Sequence, residues 1–527
     1  MVKRRQFLTT TLASAATLAA SHSTFADSGQ DAIANLAQGK VRGAKKDGVI
    51  IFKGIPYGED TRQCRFQPAV VPANWKGVRA ATEFGDFAPQ NGIKEQTSEN
   101  CLVLNIWTPA LRDQRQRPVI VYIHGGGYTN GSGSEAVVDG SHLALRGDAV
   151  VITLNHRINL FGYLYLAKLG GEKFRYSGNI GQLDLILALQ WIRQHASEFG
   201  GDPANVTLVG ESGGGAKIST LMAMPAAAGL FHKAVAISGQ QVTAAGPRAA
   251  TQRAELFLKQ LKLSAQNTEE LLRLPIDVLL NAAQVNDPSR IEERPLEFLP
   301  VLDSVSLMRH PFYPDAPAQS AQIPMIIGNA RWETRAFSKR DSGDFSLEWS
   351  QLPDKILHSQ YVDADPEVVI ATYRKIYPDF SPSDVFFAAT TAGRSWRGAV
   401  MQAEARARQG APAYVYQFDW TSQVEGGRFG GGHGSDLPLV FDNLMSSKRP
   451  AESLPGAQNV AEQLSSILLA MAKTGKPDHP GIPSWKPYTL ENRETLVINE
   501  TSALVNDPRG DERRFYAQFP FVQRGTF

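Results

Sequence analysis

From about residue 118 onward, short β-branched runs alternate with helix-length stretches. Val119-Ile120-Val121-Tyr122-Ile123 runs into glycines, and Ala149-Val150-Val151-Ile152-Thr153-Leu154 follows. Leu183 to Phe199 reads as a helix with apolar positions at Leu183, Ile186, Leu187, Leu189 and Ile192, stopped by Gly200-Gly201. Val206-Thr207-Leu208-Val209, Ala234-Val235-Ala236-Ile237, Met325-Ile326-Ile327, Tyr414-Val415-Tyr416-Gln417-Phe418 and Thr495-Leu496-Val497-Ile498 continue the series of strands. Strands separated by helices return in parallel, and a parallel sheet must be covered on both faces. The predicted class is therefore α/β, with a mostly parallel central sheet and helices on both faces. Residues 245–320 and 340–400 are mostly helical or irregular and read as insertions over the sheet. No repeat or low-complexity linker divides the chain, so residues 27–527 read as one domain.

The first 26 residues carry a different message. Lys3-Arg4-Arg5-Gln6-Phe7-Leu8 precedes a weakly apolar stretch rich in Ala, Thr and Leu, and Thr24-Phe25-Ala26 precedes Asp27. A basic start, an apolar stretch and small residues before a cut describe a secretory signal peptide. The paired arginines followed by Phe-Leu resemble a bacterial twin-arginine signal. Residues 1–26 are expected to be removed on export to the periplasm or medium, with the export machinery as a partner. The full chain has 54 Lys+Arg against 52 Asp+Glu. The leader holds three of the basic residues and no acidic ones, so the remainder is balanced at 51 against 52. Such a balance offers no field for nucleic acid or an anionic membrane. No apolar run of about 18 residues is present, so no membrane anchor is expected.

Two cysteines exclude a four-cysteine metal site, and no H-E-x-x-H pattern occurs. No metal and no organic cofactor is expected. In an oxidising compartment Cys64 and Cys101 are candidates for a disulfide, the alternative being two free buried thiols.

After the strand at 206–209 comes Gly210-Glu211-Ser212-Gly213-Gly214, with a helix expected from near Ala216. A strand–turn–helix G-x-S-x-G is a nucleophile elbow, tight enough that side chains at 210 and 214 would collide. It makes Ser212 the candidate nucleophile. A phosphate-binding loop is excluded, because Lys217 falls one place late and Ile218 cannot bind magnesium. The strand at 119–123 runs into His124-Gly125-Gly126-Gly127-Tyr128, where consecutive glycines let backbone N–H groups converge on an oxygen. The N–H groups of Gly126, Gly127 and Gly213 are the candidate oxyanion donors, and His124 reads as structural.

These segments resemble the type-B carboxylesterases, the family that includes the cholinesterases. Phe52-Lys53-Gly54-Ile55-Pro56-Tyr57-Gly58, Ser98-Glu99-Asn100-Cys101-Leu102-Val103-Leu104-Asn105-Ile106-Trp107, Gly178-Asn179-Ile180-Gly181 and Phe199-Gly200-Gly201-Asp202-Pro203 carry the likeness, together with the elbow. It spans most of residues 36–500. The resemblance implies an α/β-hydrolase fold with helical insertions over the active site, and hydrolysis of a small-molecule carboxylic ester.

His433, in Gly430-Gly431-Gly432-His433-Gly434-Ser435-Asp436, follows a late strand and matches the family's catalytic histidine segment. The family's acid stands five residues after a strand-ending glycine. Gly328 places it at Glu333, although Trp332 and Thr334 replace the usual neighbours. Asp303 and Asp436 are the fallback acids. The order Ser212, Glu333, His433 is that of the α/β-hydrolases. Ser238 resembles a family serine that supports the acid.

Choline esters are not expected, since residues 88–100 lack the aromatic side chain that would cradle a quaternary ammonium. Lys217, Arg331 and Arg335 follow or flank the candidate catalytic residues and read as ordinary surface charge, the alternative being that they favour an acidic ester. A polyester- or toxin-degrading esterase fits the same motifs, and a catalytically silent binding protein is the reading from another functional class.

Overall fold

In the computed structural model, residues 32–288, 294–422, 424–446 and 456–523 are described. The signal-peptide expectation for residues 1–26 lies outside them. Among the described residues eleven strands form the main sheet. In chain order they are β1 (Ala44–Lys46), β2 (Val49–Pro56), β3 (Val103–Thr108), β4 (Arg117–Ile123), β5 (Val150–Leu154), β6 (Gly201–Glu211), β7 (Lys233–Ile237), β8 (Met325–Ala330), β9 (Ala413–Phe418), β10 (Glu494–Ile498) and β11 (Ala503–Asn506). Their spatial order is β11-β10-β9-β8-β7-β6-β4-β5-β3-β2-β1. From β5 across to β10 every pairing is parallel, and antiparallel strands close both edges. Ile33–Leu36, Gly39–Arg42 and Val78–Ala80 form a separate small sheet.

Strand β4 shows why the sheet is covered twice. All seven of its residues are buried. Val119, Val121 and Ile123 face one layer of the core, with Leu185, Leu189 and Ile192 of α1 (Ile180–His195). Ile120 and Tyr122 face the other, with Val460, Leu464 and Leu468 of a helix at Ala457–Thr474. Alternation along a strand divides its side chains between two faces. Burying each Val or Ile contributes about 1.5–3 kcal/mol. The helix expected at 183–199 begins three residues earlier, at Ile180. It ends in a short 3-10 turn capped by Gly200, at φ +76°.

The register lines up the carboxyl ends of the central strands. Ile123 pairs with Gly210, Glu211 with Ile237, Ile237 with Gly328, and Ala330 with Phe418. The loops after β4, β6, β7, β8 and β9 therefore leave the sheet at one edge, where open parallel sheets bind ligands. Residues 245–320 and 340–400 carry helices at Pro247–Gln260, Ile276–Ala282, Pro366–Ile376 and Pro382–Thr391, as expected of insertions. Among the described residues no helix is long and apolar enough to cross a membrane.

The disulfide considered for Cys64 and Cys101 is corrected: both are free thiols. Cys101 is fully buried in the core and Cys64 half-buried. Burial pushes both thiols up, which suppresses the thiolate that disulfide formation requires.

Candidate active site

Ser212 sits between β6 and α2 (Gly213–Leu221), so the helix starts three residues before Ala216. Its backbone is held at φ 54° and ψ −124°, a conformation costing about 1–3 kcal/mol that the surroundings must enforce. Its N–H donates to the Ile237 carbonyl at 2.7 Å. The glycines around it are required by contact. A Cβ on Gly210 would stand 2.5 Å from the Gly214 backbone, and one on Gly213 would stand 1.9 Å from the Gly127 carbonyl oxygen.

That second contact brings the elbow against the glycine loop after β4. Gly126 and Gly127 adopt φ +76° and +61°, open to glycine with little strain. Gly213 is the first residue of α2, so its N–H has no carbonyl partner within the helix. His124 is buried, stacks on His156 at 4.7 Å and contacts its neighbour's carbonyl. This is the structural role expected of it.

His433 lies between the serine and a glutamate. Its Nε2 is 2.8 Å from Ser212 Oγ, and its Nδ1 is 2.5 Å from Glu333 Oε2. Glu333 is fully buried. Its Oε1 accepts from the Ala330 N–H at 2.8 Å and from Asn329 Nδ2 at 3.1 Å. Burial alone would raise this carboxyl, but the charge and hydrogen bond of His433 overcome it and hold it below the usual glutamate range. Ser238, buried beside the elbow with φ 50°, follows β7. The fallback acids serve elsewhere. Asp303 accepts backbone N–H groups from Val305, Ser306 and Leu307, and Asp436 accepts from the Tyr416 hydroxyl at 2.7 Å. Asp436 is buried and pushed up to about 6 by that burial.

Sequence reasoning missed Glu211, the residue inside the elbow. Its Oε1 lies 3.2 Å from His433 Nε2, and burial pushes its carboxyl up to about 7. Burial pulls His433 down, whereas the carboxylates of Glu211 and Glu333 push it up, and the net shift is upward. The Glu in G-E-S-G-G was visible, but its contact with His433 depends on a loop more than two hundred residues away in sequence.

The three basic residues near the candidate triad, read as surface charge or as a lure for an acidic ester, are neither at this pocket. Lys217 is fully buried and donates to the His124 carbonyl at 3.0 Å, and burial lowers it to about 7. Arg331 pairs with Glu512 at 3.1 Å and Arg335 with Asp384 at 2.7 Å. None of the three lines the pocket beside Ser212, whose walls include Tyr128, Gln240, Phe298 and Arg394. Among the described residues no cluster of His, Cys, Asp and Glu could hold a metal ion.

A model of the carboxylesterase family matches residues 30–516. The chain is 35% identical over 500 residues to para-nitrobenzyl esterase of Bacillus subtilis (strain 168), covering 90% of this chain and 96% of that protein. It is 30% identical over 513 residues to phenmedipham hydrolase of Pseudarthrobacter oxydans, again covering 90% and 96%. The crystal structure of a carboxylesterase of Geobacillus stearothermophilus at pH 6.2 matches with a TM-score of 0.81 and 34% identity, over 92% of this chain and 99% of that one. The family match takes in the elbow, the glycine loop and both insertions. The chain belongs to the carboxylesterase family and is a carboxylic ester hydrolase of the α/β-hydrolase superfamily.

Proposed function

We propose that the chain is a serine carboxylesterase that works through an acyl-enzyme on Ser212. The observation that carries this reading is His433 in hydrogen-bond reach of Ser212 on one nitrogen and of Glu333 on the other. His433 Nε2 takes the hydroxyl proton as Ser212 Oγ attacks the ester carbonyl. The oxygen that becomes negative accepts from the N–H groups of Gly126, Gly127 and Gly213, the positive end of α2 adding to the field. The intermediate collapses, the C–O bond to the alcohol breaks, and His433 returns the proton to the departing oxygen. Water then attacks the acyl-enzyme through the same base and releases the acid. Glu333 fixes the imidazole tautomer and stabilises the imidazolium.

The pH profile tests the base. A protonated His433 cannot accept the serine proton, so kcat/KM is expected to fall as pH drops through its pKa. Because the neighbouring carboxylates raise that pKa, the midpoint should lie above the ordinary 6.5. Glu211→Gln removes one of the raising charges and should move the midpoint to lower pH. A flat profile from about pH 5 to 9 would contradict a histidine base.

The enzyme is further proposed to act outside the cytoplasm, on the strength of the basic, apolar and small-residue order in residues 1–26. N-terminal sequencing of exported protein should begin at Asp27, and protein beginning at Met1 would overturn the proposal.

A further inference from the structure

The pocket beside Ser212 has two kinds of wall. Tyr128, Ala216, Phe298 and Leu299 are largely apolar, whereas Gln240, Gln241, Ser395, Gln523 and Arg394 are polar. Among the described residues lining it, Arg394 is the only arginine or lysine. A guanidinium stays charged throughout the working pH range.

Arg394 is held in place by several contacts. It sits on a π-helical turn, Ala392–Trp396, inserted between the helices Pro382–Thr391 and Arg397–Gln409. Such a turn shifts the phase of the helix and re-aims the side chains on it, and π-turns recur at functional sites. The side-chain amide of Gln240 donates to the Arg394 carbonyl at 3.3 Å, tying the turn to the loop after β7. The guanidinium lies 3.9 Å from the centre of the Phe337 ring, and that ring packs against His433 at 4.9 Å. Its charge is felt at the base, where it opposes protonation of His433. Arg394 therefore stands on the wall of the pocket that Ser212 lines, with the Phe337 ring between its guanidinium and His433. One carboxylate, Glu297, shares the pocket lining.

We propose that Arg394 is a specificity-determining residue that selects esters bearing a carboxylate a few atoms from the scissile bond. The inference rests on the serine-esterase reading and adds a substrate class to it. A planar guanidinium meets a carboxylate with two parallel N–H···O bonds, a geometry no neutral isostere can return. Phe337 fixes the plane from one side, so little side-chain entropy is lost on binding. Glu297 opposes an anion, and the balance between Arg394 and Glu297 sets the strength of the preference.

The test compares charged and uncharged isosteres on each side of the ester. Mono(4-nitrophenyl) adipate is paired with 4-nitrophenyl 6-methylheptanoate, and 4-carboxybenzyl butanoate with 4-isopropylbenzyl butanoate. In at least one pair, Arg394→Gln should lower the ratio of kcat/KM for the charged member over the neutral one by ~30-fold, the effect of losing a charge-assisted hydrogen bond. Arg394→Lys, which keeps the charge but loses the fork, should retain part of that ratio. Glu297→Gln should raise it. The responding pair identifies whether the acyl or the alcohol part meets Arg394. Ratios unchanged within about threefold in both pairs would overturn the inference. So would an equal fall for both members of each pair, since Arg394 would then only hold Phe337 against His433. Failure to turn over any of the four esters with wild-type protein would count against both the inference and the esterase reading. Turnover of the neutral esters with unchanged ratios would count against the inference alone.

Discussion

Ser212→Ala is expected to lower kcat for a simple nitrophenyl ester by about 10⁶-fold, leaving only what the oxyanion donors and binding supply. The size follows from the division of labour. In the proposed mechanism Ser212 Oγ is the atom that bonds to carbon, and without it His433, whose Nε2 lies 2.8 Å from that oxygen, has no proton to accept. The fold should be unaffected. Alanine inherits the same strained backbone at φ 54° and ψ −124° and loses one hydroxyl from the pocket wall. Ser212→Gly offers a control in the other direction. It should be equally inactive yet more stable, by about 1–3 kcal/mol less the cost of glycine's freedom when unfolded, because glycine relieves the strain. Thermal unfolding of the two variants beside the wild type checks both parts.

Glu333→Gln is expected to cost about 10⁴-fold in kcat with little change in KM. The reason lies in the two donors already on Glu333 Oε1, the Ala330 N–H and the Asn329 amide. In the variant those donors claim the amide oxygen and turn the NH2 toward His433 Nδ1. The imidazole must then accept at Nδ1 and carry its proton on Nε2, the nitrogen that should receive the serine proton. The substrate pocket is untouched, so binding should persist. Steady-state kinetics provide the check. A loss below about tenfold would mean that another group orients His433.

Much of this site was legible in the sequence because several constraints fall on the same few residues. At 206–214 a β-branched run, two glycines set by steric contact and a serine coincide, and few folds satisfy all three. Glu333 was legible from spacing, although its neighbours departed from the family pattern. What was not legible depends on where side chains point after long-range folding. Lys217 follows the elbow by five residues, yet the phase of α2 turns it inward to the His124 carbonyl, so its charge never reaches substrate. Arg331 and Arg335 flank Glu333 in sequence but are held by Glu512 and Asp384. Arg394 is far in sequence from Ser212 and reaches the pocket through a π-turn that periodicity does not reveal. The two cysteines were a question of position as well. Their spacing allowed a bond, whereas the fold buries Cys101 in the core and leaves Cys64 half-buried, both as free thiols.

The central claim is a covalent ester on Ser212, formed while His433 holds the proton. Residues 27–527 would be mixed with 4-nitrophenyl butanoate and quenched in acid within milliseconds, and the intact mass and the digest measured. The account predicts a burst of nitrophenol close to one per protein and a butanoyl mass on the peptide carrying Ser212, both absent from Ser212→Ala. Steady turnover with no acylated protein, or a butanoyl group mapped to any other residue, would contradict it.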